Sequence, residues 1–196
     1  MSWQLRMMGA LVRPAMRSVT GRVSNPETIR RHLKRAARFI FRTPPGAVFA
    51  KTSFGKLPAL WVSSGPVTDA RVLLYVHGGA FILGSPDTHK HMVADIAGKL
   101  GIEAVMPRYR LAPEHPFPDG FDDVVATYKG LLARGLNAEQ IVLGGDSAGG
   151  ALVLGLLAYL SDQGMDLPQS AFVLSPVVAM EANFASMQDN ASSEAL

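Results

Sequence analysis

The sequence predicts an α/β protein: a mostly parallel, twisted sheet with helices on both faces. Three features carry that expectation. Strand-like and helix-like segments alternate from residue 72 to residue 174. One strand candidate, Val72-Leu73-Leu74-Tyr75-Val76, is apolar throughout, the pattern of a strand buried on both faces. The chain has 196 residues, 48% hydrophobic and 18% charged, enough for one ordinary domain with a real core and far from a disordered composition.

Taken in order, Ser2 to Met16 is spaced for a helix, with Trp3, Met7, Leu11 and Ala15 on one face. Ser24-Asn25-Pro26-Glu27 then reads as a capping box with proline in the first turn. Ile29, Leu33, Ala36 and Ile40 mark the apolar face of a second helix, and Thr43-Pro44-Pro45-Gly46 stops it. Short strands are expected at 47–51 and 57–62, around the turn-prone Ser53-Phe54-Gly55. After the buried strand 72–76 come a helix over 87–100 ended by Gly101, a strand at 102–106, a helix over 120–132, a strand at 141–143, a helix over 148–160 and a last strand at 171–174. Met180 to Leu196 is small and polar, with no clear period.

Charge divides the chain. Residues 1–56 hold twelve Lys and Arg against one acid, Glu27, a formal +11, whereas residues 57–196 sum to −8. The basic residues alternate with core-type apolar ones, which favours a basic amphipathic cover on an acidic body over a nucleic-acid arm. No RNA- or DNA-binding motif accompanies them. Weak contact with a membrane surface through residues 1–42 also fits this pattern. Residues 1–26 lack any acid, as a mitochondrial transit peptide would, but the uncharged stretch Met7 to Val12 is too short for a signal-peptide core. No uncharged apolar run reaches the ~18 residues of a membrane span. Cysteine is absent, which excludes disulfides, a thiol nucleophile and thiolate metal sites, and suits a reducing, cytoplasmic compartment.

Three segments sit where such a sheet places chemistry. Gly145-Asp146-Ser147-Ala148-Gly149 is a G-x-S-x-G between an expected strand and an expected helix. A sharp turn there leaves little room beside the serine, hence glycine at 145 and 149, and lifts the hydroxyl to the carboxyl end of the sheet. His77-Gly78-Gly79-Ala80-Phe81 follows the buried strand. Backbone N–H groups of Gly78, Gly79 and Ala80, with that of Ala148, can form an oxyanion hole, each donor stabilising developing charge by about 3 kcal/mol. His77 reads as a structural residue bonding the loop. Tyr109-Arg110-Leu111-Ala112-Pro113-Glu114-His115-Pro116-Phe117-Pro118 reads as a rigid scaffold loop in which His115 is packed rather than catalytic.

Together these motifs resemble the hormone-sensitive-lipase-like family of α/β-hydrolases, which holds many bacterial carboxylesterases. The likeness runs over about residues 25–190 and includes Leu174-Ser175-Pro176 after the last strand. It implies Ser147 as nucleophile, the His77–Ala80 loop as oxyanion hole, and residues 1–45 as part of a cap over a partial hydrolase core at 46–196. It also implies hydrolysis of small esters or lactones through an acyl-enzyme, needing no metal or organic cofactor. Two departures stand out. Arg108 occupies a place where the family often has an acid, and Val177-Val178-Ala179 replaces an aromatic and an acid.

A serine hydroxyl needs an adjacent base, and in this fold the order is Ser, then Asp or Glu, then His. All five histidines, His32, His77, His89, His91 and His115, precede Ser147. Asp162, Asp166 and Asp189 follow it, but none falls where the family places its acid. The sequence therefore assigns neither acid nor base. Two readings follow. One is a truncated serine esterase, inactive by itself, whose last strand would be left as an apolar edge and whose solubility would be poor. The other is a non-catalytic ligand-binding protein on the same fold, as plant gibberellin receptors are.

Overall fold

In the computed structural model, residues 26–40 and 42–179 are described. The expected helix over 2–16, the Ser24-Asn25 cap and the segment 180–196 lie outside them. The chain divides into two compact units, one of residues 33–178 and one of residues 1–32 with 179–196. Of the second, only residues 26–32, the first turns of helix α1 (Pro26–Ile40), and residue 179 are described.

The larger unit is a six-stranded sheet. A hairpin, β1 (Val48–Phe54) and β2 (Leu57–Ser63), leads into β3 (Val72–Val76), α2 (Pro86–Leu100), β4 (Glu103–Pro107), α3 (Asp119–Ala133), β5 (Ile141–Asp146), α4 (Ser147–Asp162) and β6 (Ser170–Leu174). The strand order is β1-β2-β4-β3-β5-β6. Strands β4, β3, β5 and β6 pair in parallel, as the alternating pattern predicts. The hairpin joins antiparallel to one side, Leu60 opposite Met106. Strand β1 is three residues longer at its turn than expected, because the tight turn falls on Gly55-Lys56 with Gly55 at φ 58.

Every residue of β3 is buried, and its alternation serves two cores. Leu73 and Tyr75 pack with Val93, Ala94 and Ala97 of α2 and with Ala104 and Met106 of β4. Val72, Leu74 and Val76 pack with Val124, Tyr128 and Leu131 of α3 and with Val153 and Leu156 of α4. Helices on both faces are thus a direct result of an apolar strand with no polar side to show to water. The C-terminal turns of α1 join the α2 side. Ala37 is buried, Lys34 pairs with Asp87 at 2.8 Å, and the Thr43 hydroxyl meets His91 Nδ1 at 2.9 Å.

Because four strands run the same way, the segments after β3, β4, β5 and β6 emerge at one end of the sheet. Those segments are 77–85, 108–118, the turn at Ser147 and 175–178. Among the described residues β6 pairs on one side only, and its Leu174 is half exposed.

Candidate active site

Strand β5 ends at Asp146 and α4 begins at Ser147 with no loop between them. The backbone turns there through a left-handed residue: Ser147 has φ 49. For an L-residue this is a strained conformation, and it lifts the side chain off the sheet. Ser147 is half-buried, and no described residue hydrogen-bonds with its hydroxyl. Space for the turn comes from the glycines. A Cβ on Gly145 would press on the Gly149 carbonyl, and one on Gly149 would strike the carbonyls of Val76 and His77. The Val177 N–H donates to the Ser147 carbonyl at 3.2 Å, so the unusual Val177 lies against the elbow itself.

The loop after β3 turns through three consecutive residues with positive φ: Gly79 at 127, Ala80 at 53 and Phe81 at 61. The Gly79 carbonyl closes the turn by accepting the N–H groups of Ile82 and Leu83. The N–H groups of Gly79 and Ala80 have no acceptor among the described residues. The Ala148 N–H, in the first turn of α4, has no intrahelical partner either. The Gly78 N–H differs from these. It donates to Asp146 Oδ1 at 2.9 Å, so one of the four expected oxyanion donors is already engaged.

Asp146 ties the two segments together. Its Oδ1 also accepts the Tyr75 hydroxyl at 3.0 Å, and its Oδ2 faces His89 Nε2 at 3.5 Å. Burial pushes the Asp146 carboxyl up, but His89, the Gly78 N–H and the Tyr75 hydroxyl outweigh it and hold it below the usual carboxylate range. His77 is fully buried and structural, as expected: its Nδ1 bonds the Gly78 carbonyl at 2.9 Å. Burial drives its pKa down to about 3, so the ring stays neutral. It stacks on Tyr109 at 4.3 Å, and the Tyr109 hydroxyl donates to the His77 carbonyl at 2.8 Å.

The proline-rich loop is scaffold, but not through His115. That side chain is 48% exposed and pairs with Asp119 at 3.1 Å, which corrects the expectation of a packed histidine. The anchor is Arg110. Its backbone N–H donates to Asp123 Oδ2 at 2.8 Å and its guanidinium holds both oxygens of the same carboxylate. Arg108 pairs with Asp87, which also takes Lys34. These two cations outweigh burial and hold the Asp87 carboxyl below its ordinary range.

The alpha/beta hydrolase fold family matches residues 73–196. A solved esterase of the bacterial hormone-sensitive lipase family superposes with a TM-score of 0.88 at 34% identity, covering 100% of this chain and 64% of that one. The chain belongs to the hormone-sensitive-lipase-like α/β-hydrolases. An acetyl-hydrolase of Streptomyces hygroscopicus is 40% identical to this chain over 133 residues, which is 68% of the chain and 43% of the relative. An esterase of Acinetobacter venetianus is 33% identical over 126 residues, 64% of the chain and 42% of the relative. The chain thus spans less than half the length of these two relatives. Among its described residues no helix is long and apolar enough to cross a membrane.

Sequence reasoning missed Asp146, Tyr75 and His89 as parts of this site. One signal was present: a carboxylate at the end of a strand buried along its length must find donors nearby.

Proposed function

We propose that this chain carries the nucleophile and the oxyanion hole of a serine ester hydrolase. Ser147 Oγ attacks the carbonyl carbon of a small ester or lactone, and its proton leaves with the alcohol. The resulting acyl-enzyme is then cleaved by water, which returns the proton to Ser147. The N–H groups of Gly79, Ala80 and Ala148 hold the oxyanion. Gly78 is left out, because its N–H is committed to Asp146. The observation that carries the reading is a half-buried serine at φ 49 beside a loop whose two free amides are tied to the same turn by one carboxylate.

No described histidine is assigned as base. His32 is exposed on α1, His77 is buried and neutral, His89 faces Asp146, His91 meets Thr43 and His115 pairs with Asp119. Neither a base nor its acid partner is assigned in this chain, which alone is expected to hydrolyse esters close to background. The acetyl-hydrolase and esterase relatives support a short acyl group.

The test is hydrolysis of p-nitrophenyl acetate by a form that carries a C-terminal acid and histidine. Ser147→Ala should remove turnover, a loss on the order of 10⁴-fold or more. Undiminished turnover in that variant would return the molecule to the ligand-binding reading.

A further inference from the structure

The His89 ring lies between two parts of the site without belonging to either of the expected motifs. It sits in the first turns of α2, which begins directly after the oxyanion loop. One face stacks on His77 at 5.6 Å and 28°. Its Nε2 faces Asp146 Oδ2 at 3.5 Å. Its Nδ1 meets the Thr88 hydroxyl at 2.7 Å. That hydroxyl donates its single hydrogen to the Ser85 carbonyl at 2.8 Å and accepts the Ser85 N–H at 3.0 Å. Nδ1 also lies 3.4 Å from the Ser85 carbonyl, so the Ser85–Thr88 cap holds the ring at one nitrogen while the other faces Asp146.

We propose that His89 is a positioning residue of the ester-hydrolysing centre, a strut that fixes Asp146 and through it the oxyanion loop. The chain of contacts is short. His89 restrains Oδ2, Oδ1 then points at the Gly78 N–H, and Gly78 sets where the free amides of Gly79 and Ala80 stand relative to Ser147. Without the strut the carboxylate can rotate toward water, since a quarter of the Asp146 side chain is exposed. Gly78 would then lose its acceptor. Tyr75 would then hold Oδ1 from the strand side alone.

This inference rests on the hydrolase reading only for its catalytic meaning. Its test needs no turnover. Amide hydrogen exchange at residues 78–80 is measured in the 196-residue chain, with amides 104–106 of β4 as the reference for global stability. His89→Phe keeps the ring stack on His77 and removes both nitrogens. His89→Gln places an amide N–H near the position of Nε2 and discards the ring. Exchange of the Gly78 amide should quicken at least about tenfold in the Phe variant, the effect of one lost charge-assisted hydrogen bond. The Gln variant should hold exchange within about threefold of the parent, with the β4 amides unchanged in both.

The proposal is overturned if the Phe variant protects Gly78 as well as the parent does, or if the Gln variant loosens the loop more than the Phe variant. The first outcome would make the ring stack sufficient, and the second would make the ring itself the structural element. In a form with turnover, His89→Phe should lower kcat with KM little changed, and His89→Gln should restore most of it. Turnover surviving Ser147→Ala would sink the hydrolase reading while leaving the exchange result intact, so the two failures are separable.

Discussion

Gly149→Ala should destabilise the fold, whereas Gly155→Ala, six residues further along the same helix, should leave it as stable or firmer. A methyl group at 149 would strike the carbonyl oxygens of Val76 and His77 and lie 2.7 Å from the His77 carbonyl carbon. Those atoms are the end of β3 and the start of the oxyanion loop, and backbone cannot swing aside. A methyl group at 155 would meet Phe121 Cε2 at 3.2 Å, the rim of a half-buried side chain and not backbone. Both changes gain about 1 kcal/mol of helix propensity. Overpacking against backbone costs about 3 kcal/mol, and against a ring that can give way less than about 1 kcal/mol. The net is a loss of about 2 kcal/mol at 149 and a gain of up to about 1 kcal/mol at 155. For a domain of this size that is a melting temperature about 4–8 °C lower in the first variant and up to about 4 °C higher in the second. Thermal unfolding followed by circular dichroism at fixed protein concentration measures both. A Gly149→Ala protein that melts at or above the parent, or two variants that fall together, would refute the close approach of helix and strand.

Two further outcomes are expected. Asp123→Asn leaves the shape of the Arg110 anchor but removes its charge, and should cost about 1.5–3 kcal/mol, read as a lower midpoint in urea unfolding. The buried His77, with its pKa near 3, imposes a pH dependence. Between about pH 6.5 and that value the unfolded chain binds a proton which the folded chain refuses, so stability is complete above pH 6.5 and falls as pH drops. His77→Gln should flatten the melting temperature between pH 6 and 4, and an unchanged slope would count against a neutral buried ring.

How much was legible follows from what each residue has to satisfy. The apolar run at 72–76 announces a buried central strand because no polar side chain interrupts it, and the structure returns the same five residues. The serine turn is equally plain, since glycines at 145 and 149 are the residues a crowded turn requires. The antiparallel attachment of β2 to β4 was not readable, because pairing partners depend on the whole sheet and not on the pattern of either strand. The same holds for the Gly78 N–H. Spacing places it in the loop, but only the fold shows that Asp146, 68 residues away, has taken it. His115 was misjudged because the flanking Glu114 and Pro116 suggested a packed loop, whereas the loop stays in water.

The left-handed backbone at Ser147 carries one more consequence. Such a conformation burdens any residue with a Cβ by roughly 1–3 kcal/mol, a burden that glycine escapes. A library scored for heat resistance alone should therefore enrich glycine at position 147. The hardiest descendants of this chain would be those that had given up the hydroxyl.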